Sequence, residues 1–124
     1  MEFKENPAIY IQIAEYVCEK ILLKKWKLGD RLISIRELAI QIEVNPNTVQ
    51  RSYDLLQQQN IITNKRGIGY FIEDDAMERI LSFRKEQFIE NDLPVFMRNI
   101  FLLKIDFKEV KTLYDQFVKD NFKK

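Results

Sequence analysis

The chain has 124 residues, 20 Lys or Arg against 19 Asp or Glu, a net charge of +1, no histidine and one cysteine. Without histidine, with a single thiol and with no glycine-rich phosphate loop, the usual nucleophilic triads, His-based metal centres and nucleotide cradles are excluded, so no enzyme activity, cofactor or metal is expected. One cysteine, no signal-peptide pattern and no long apolar span lead us to expect a cytoplasmic protein with no membrane partner.

Cys18 sits on the first helix, between Val17 and Glu19. Only Lys20 nearby in sequence would lower its pKa, so the thiol reads as a near-core structural residue rather than a sensor. Lys24, Lys25, Lys27, Arg31 and Arg36 then cluster around the start of a second helix. That helix opens with Ser34 as N-cap and Glu37 three residues on, a capping box. Ile35, Leu38, Ala39 and Ile42 follow at i, i+3, i+4 and i+7, the spacing of one buried stripe. The turn Glu43-Val44-Asn45 places an apolar plug at Val44 and an N-cap at Asn45, because Pro46 suits the first helical position, where no N–H is needed. In the third helix Val49, Ser52, Tyr53 and Leu56 share one face, and Asn47, Gln50, Arg51 and Asp54 share the opposite one. Two short helices joined by a tight turn make a helix-turn-helix. The outward face carries residue types that hydrogen-bond adenine, guanine or phosphate, as a reader of the major groove requires.

Asn60 is suited to a left-handed helix stop. Ile61-Ile62-Thr63 and Tyr70-Phe71-Ile72 flank the polar turn Asn64 to Gly69, which predicts a small β-hairpin. Its tip sets Lys65 and Arg66 beside Gly67 and Gly69, so cations and a closely approaching backbone occur together. A basic hairpin directly behind a helix-turn-helix is the winged-helix pattern. The expected fold is therefore mainly α with a small β-hairpin, a winged helix-turn-helix over residues 1–72, followed by a helical segment over 73–124.

In that segment Asp75 and Glu78 form a capping box for a helix from about Ala76 to Asn91, and Pro94 is expected to kink or break it. Val95 to Met97 and Ile100 to Leu103 are densely apolar. Asp106 and Glu109 cap a last helix bearing Val110, Leu113, Tyr114, Phe117 and Val118 at helical spacing. A tail this apolar and this small needs a partner surface. We expect dimerisation, through Ile80, Leu81, Phe88, Phe96, Ile100, Leu103, Leu113 and Phe117. The alternative is packing on the winged helix of the same chain.

Residues from about Ile9 to Ile72 resemble the winged-helix DNA-binding domain of the GntR family of bacterial transcription regulators. The resemblance rests on Ile9-Tyr10-Ile11-Gln12-Ile13, Leu28-Gly29-Asp30-Arg31-Leu32, Ser34-Ile35-Arg36-Glu37-Leu38-Ala39, Val44-Asn45-Pro46-Asn47-Thr48-Val49 and Arg66-Gly67-Ile68-Gly69-Tyr70-Phe71-Ile72, in the family's order and spacing. It implies that Arg36, Asn45, Asn47, Thr48, Gln50, Arg51, Arg66 and Gly67 lie on the operator, and Lys65 adds to the basic wing. Three positions depart from the pattern. Ile33 stands at a usual proline, and Glu43 and Asn60 at usual glycines. A positive φ at Glu43 would carry strain, and its charge would oppose DNA. The 52 residues beyond the winged helix leave no room for a large sensor, which implies the short YtrA-like branch, whose C-terminal helices dimerise.

Residues 1–72 carry ten Lys or Arg against eight Asp or Glu, a balance of +2, and residues 73–124 carry ten against eleven, a balance of −1. DNA affinity must then come from where cations stand rather than from net charge. The function expected is a sequence-specific DNA-binding regulator, a repressor acting as a homodimer on an inverted repeat of double-stranded DNA. The alternative is a winged-helix protein-interaction module, which would call for exposed aliphatic or aromatic residues where Asn47, Gln50 and Arg51 stand. No residue names an effector. If one exists, a cavity among the C-terminal helices or at a dimer interface would suit a small apolar molecule.

Overall fold

The computed structural model describes residues 7–123. The elements run α1 (Ile9–Leu22), α2 (Ile35–Gln41), α3 (Pro46–Gln58), β1 (Ile62–Lys65), β2 (Gly69–Ile72), α4 (Ala76–Gln87), a π turn (Phe88–Asp92), α5 (Leu93–Leu102) and α6 (Phe107–Asn121). The expected winged helix and helical tail are both present. The chain forms two compact units, one ending at Arg84 and one beginning at Lys85.

In the first unit, α1, α2 and α3 enclose a core in which Val17, Leu38, Val49, Tyr53, Leu56, Ile61 and Ile80 are all fully buried. β1 and β2 pair antiparallel, with Ile62 opposite Ile72 and Lys65 opposite Gly69. The lead-in to α2 adds an isolated β-bridge to β2 that periodicity did not disclose. Arg31 bridges Phe71, the Leu32 amide donates to Tyr70 O at 2.8 Å, and the Ile72 amide donates to Asp30 O at 2.9 Å. The wing is thereby tied to the helix-turn-helix through its backbone.

Helix ends follow the capping logic closely. Ser34 Oγ accepts from the Glu37 amide at 3.1 Å and Asn45 Oδ1 accepts from the Asn47 amide at 2.8 Å. At the other ends, Lys24, Glu43, Asn60 and Lys104 all have positive φ, between 54° and 61°. Each is the left-handed C′ residue of a Schellman turn, and the next residue's amide reaches back five positions: Lys25 to Lys20 O, Val44 to Ala39 O, Ile61 to Leu56 O and Ile105 to Ile100 O.

Two expectations, the interface role of Ile80 and the boundary at residue 72, are corrected in the C-terminal half, and of the kink or break allowed at Pro94 the break is ruled out. Ile80, expected at a dimer interface, is 0% exposed and belongs to the core of the first unit, whereas Leu81 beside it is 53% exposed. The first unit continues past residue 72 because Ala76 and Ile80 complete that core. Near Pro94 the chain stays helical instead of breaking. The Leu93 amide bonds Phe88 O, five residues back, and this widened turn immediately precedes the residue that can neither donate nor tolerate a close i−4 carbonyl. In the second unit, α6 is capped by Asp106 Oδ1, which accepts from the Lys108 amide at 3.0 Å. None of its described side chains is buried.

The placement of Ile80 makes a direct forecast. Ile80→Ala should lower the free energy of chemical unfolding by about 2–5 kcal/mol through the cavity it leaves, with no change in the molecular mass in solution. A variant of unchanged stability but weakened self-association would return Ile80 to the interface.

Candidate nucleic-acid interface

The outward face of α3 is built by the inward one. Val49, Ser52, Tyr53 and Leu56 are buried, so the 3.6-residue period turns Asn47, Gln50, Arg51 and Asp54 away from the core. Two buried hydroxyls fix the helix in place. Ser52 Oγ donates to Tyr10 O of α1 at 2.7 Å, and Tyr53 Oη donates to Ile33 O, just ahead of α2, at 2.6 Å. Burial pushes the Tyr53 phenol well above its ordinary pKa, and the nearby Tyr70 and Glu37 push the same way.

Each residue expected at the interface occupies a definite place. Arg36 is exposed in the first turn of α2. Asn45 spends its Oδ1 on the cap of α3, which leaves its NH2 group as the end able to meet a partner. Asn47 is exposed and Thr48 half-buried in the first turn of α3. The Arg51 guanidinium lies over the Tyr10 ring, 4.0 Å from its centroid, a stack that orients the cation while its edge N–H groups remain directed along the plane. Lys65 Nζ lies 4.3 Å over the Phe71 ring. Arg66 and Gly67 are the central residues of the wing turn, closed by the Ile68 amide donating to Lys65 O at 2.9 Å. Gly67 has φ +79°, as the third position of a type II turn demands.

Gln50 joins these parts. Its Nε2 donates to Asp54 Oδ1 at 2.9 Å and to Tyr70 Oη of β2 at 3.2 Å, which brings the wing against the outward edge of α3. The Tyr70 ring packs edge-on against Tyr53, centroids 5.1 Å apart. Tyr10 and Tyr70 thus join the candidate site, where sequence reasoning assigned neither, and Asp54, read from sequence as an outward residue of α3, is the partner of Gln50 there. Arg31, read from sequence as part of the cationic cluster before α2, also stands here: its Nε lies 2.9 Å from where a Cβ on Gly69 would stand, so only glycine admits the guanidinium against the base of the wing.

The buried Cys18 thiol has its pKa raised to about 12, by burial first, with Arg84 opposing. Such a thiol is not a reactive centre. Among the described residues there is no His, Cys, Asp and Glu cluster able to hold a metal ion, and no helix is long and apolar enough to cross a membrane.

Comparison with known proteins agrees with this geometry. The family model described as "Bacterial regulatory proteins, gntR family" matches residues 9–72. The HTH-type transcriptional regulator YhcF of Bacillus subtilis strain 168 is 41% identical over 75 residues, 60% of this chain and 62% of that protein, so the match spans under two thirds of its length. The HTH-type transcriptional repressor YtrA of the same organism is 39% identical over 88 residues, 68% of each chain. A crystal structure of a GntR-family regulator from Bacteroides thetaiotaomicron superposes with a TM-score of 0.70 at 43% identity, covering 91% of this chain and 98% of its own.

Two outcomes follow from the local chemistry. Glu43 is exposed at φ 56°, so Glu43→Gly should stabilise the fold by about 0.5–1 kcal/mol, the left-handed penalty less glycine's extra chain entropy. Thermal unfolding measures this, and a drop in stability would show that the backbone there is unstrained. For Cys18, the folded pKa lies above the ordinary 9.0. Its contribution is therefore complete below pH 9 and is lost as pH rises from there toward about 12, at up to about 1.4 kcal/mol per pH unit. Between pH 9 and 11 the stability of Cys18→Ala should fall less steeply than that of the native chain, and parallel curves would contradict the assignment.

Proposed function

The chain belongs to the GntR family of bacterial transcriptional regulators with a DNA-binding helix-turn-helix, and we propose that it is a cytoplasmic repressor that binds an inverted-repeat operator as a homodimer and occludes a promoter. The observation that carries this reading is the polar outward face of α3, held by buried hydroxyl bonds and edged by the wing. On this reading Asn47 and Gln50 meet base edges. Arg36, Arg51, Lys65 and Arg66 meet phosphates or the minor groove, and the Gly67 backbone approaches the duplex closely. A repressor role is supported by the likeness to YtrA.

Support for the homodimer comes from the second unit. Helices are stabilised mainly by burying an apolar face, yet α5 and α6 bury none. Phe88, Phe96, Leu103, Leu113 and Phe117 are each between 41% and 68% exposed, and Ile100 is partly so. A second copy of the same helices is the partner that covers them and sets two half-sites in register.

In vitro selection of random double-stranded DNA, with light scattering on the free protein, tests both parts. An inverted repeat with half-sites about one helical turn apart, and a mass twice 15.0 kDa, are expected. In the selected site, Arg66→Ala should weaken binding and reduce the slope of log affinity against log salt by about one. A flat selection would remove base reading from α3, and a monomeric mass would remove the homodimer.

A further inference from the structure

We propose that Asp54 and Tyr70 set Gln50 to read DNA as a hydrogen-bond acceptor only, so that this position of the operator is a base offering an amino group in the major groove, adenine or cytosine. The inference rests on α3 being the base-reading helix. A glutamine carboxamide is ordinarily two-faced: its NH2 donates and its oxygen accepts, which is why it pairs bidentately with adenine N6 and N7. Here both Nε2 hydrogens have acceptors, Asp54 Oδ1 at 2.9 Å and Tyr70 Oη at 3.2 Å. The orientation follows from the partner, because Asp54 Oδ1 is an acceptor at 2.9 Å and faces the NH2 end. Oε1 is left as the unclaimed polar atom of the side chain. In the major groove guanine N7 and O6 and thymine O4 present acceptors to it, whereas cytosine N4 and adenine N6 present donors.

The clamp is itself held. Tyr70 stands on β2 with its ring edge-on to Tyr53, and the Tyr53 hydroxyl is anchored on Ile33 O at 2.6 Å. Gln50 is therefore referred to the core on one side and to the next turn of its own helix on the other. Tyr70 is a positioning residue on this account: it sets which bases Gln50 accepts without touching them, and it couples wing placement to base choice.

Selection from a random library with the 124-residue chain, Gln50→Ala, Tyr70→Phe, Asp54→Ala, Asp54→Asn and the Tyr70→Phe/Asp54→Ala pair tests this. Gln50→Ala identifies the base pair that Gln50 reads, as the one whose preference it abolishes. In the native protein that base should be adenine or cytosine on the contacted strand. The double variant frees the NH2 group, so its preference against guanine and thymine at that pair alone should fall by about tenfold, the discrimination of one good base contact. Asp54→Asn can donate as well as accept, so it no longer fixes the carboxamide's orientation and should relax the native preference while binding all sequences more tightly, since it removes a negative charge. A merely structural role for Tyr70 and Asp54 would weaken binding evenly and leave the base profile intact. At that pair, removing the exocyclic amino group (purine for adenine, pyrimidin-2-one for cytosine) should abolish the Gln50-dependent preference, whereas 7-deaza substitution of the pair's purine should not; loss on 7-deaza substitution, or identical profiles for the native and double-variant proteins, would overturn the clamp while leaving the regulator reading standing. A flat native selection would overturn both.

Discussion

The fold is organised around a helix that must be both core and reading head. α3 satisfies both demands because its inward face carries two hydroxyls, Ser52 and Tyr53, each spent on a backbone carbonyl of a different neighbour, Tyr10 O in α1 and Ile33 O before α2. A buried hydrogen bond of this kind adds only about 1 kcal/mol net, but leaving its partner unsatisfied costs about 1–3 kcal/mol, so the penalty for misplacing the helix exceeds the reward for placing it. Apolar contacts with Val49 and Leu56 would allow α3 to rotate or slide by fractions of a turn. Two directed bonds to two different elements do not. No buried side-chain polar atom among the described residues lacks a partner, so the core specifies an orientation as well as a volume.

The same economy governs the helix ends. Four helices stop at a left-handed residue that is not glycine, and each such residue normally costs about 1–2 kcal/mol. What offsets it is the Schellman pairing, which satisfies two otherwise orphaned carbonyls, together with apolar Val44, Ile61 and Ile105 directly after three of the four. Asn60 bears the conformation most easily, whereas lysine and glutamate bear it only because the following residues hold the turn closed. At Glu43 the strain lies in the turn that aims α3.

What could be read from the residues, and what could not, divides along physical lines. Periodicity and caps are local properties, so α2, the turn, α3 and the hairpin were legible at Ser34, Asn45, Pro46 and Gly67, and the apolar face of α6 at Leu113 and Phe117. Long-range pairings were not. The β-bridge at Arg31 follows from backbone bonds to Tyr70 and Ile72 that no local pattern encodes. Ile80 and Leu81 are adjacent and equally apolar, and only the three-dimensional packing decides that one fills the core and the other stays exposed. Glu43 and Asn60 were identifiable because glycine is usual there, while Lys24 and Lys104 gave no such contrast. At the site, α3's outward residues were legible by face. Among their partners Asp54 was legible too, four residues after Gln50 on the same face, but Tyr10 and Tyr70 were not, because a cation over a ring or an amide on a phenol depends on side chains from other elements meeting in space.

The near-neutral charge of the whole chain gives these partners their importance. A strongly basic protein holds any duplex by releasing counterions, and base contacts then add selectivity to an affinity already secured. With +1 overall, Glu43 just before α3 and Asp54 on its outward face, the sequence-independent attraction on the proposed reading is small, and acidic groups trim it further. Discrimination then falls on a few well-placed contacts. A floppy side chain serves poorly in that role, since ordering it on binding costs about 0.5–1.5 kcal/mol of the contact it makes. On the proposed reading, stacking Arg51 on Tyr10, laying Lys65 over Phe71 and bonding Gln50 to Tyr70 and Asp54 orders three DNA-facing side chains in advance. The aromatic residues around α3 thus compensate for a modest charge, because orientation settled within the fold need not be supplied by the DNA.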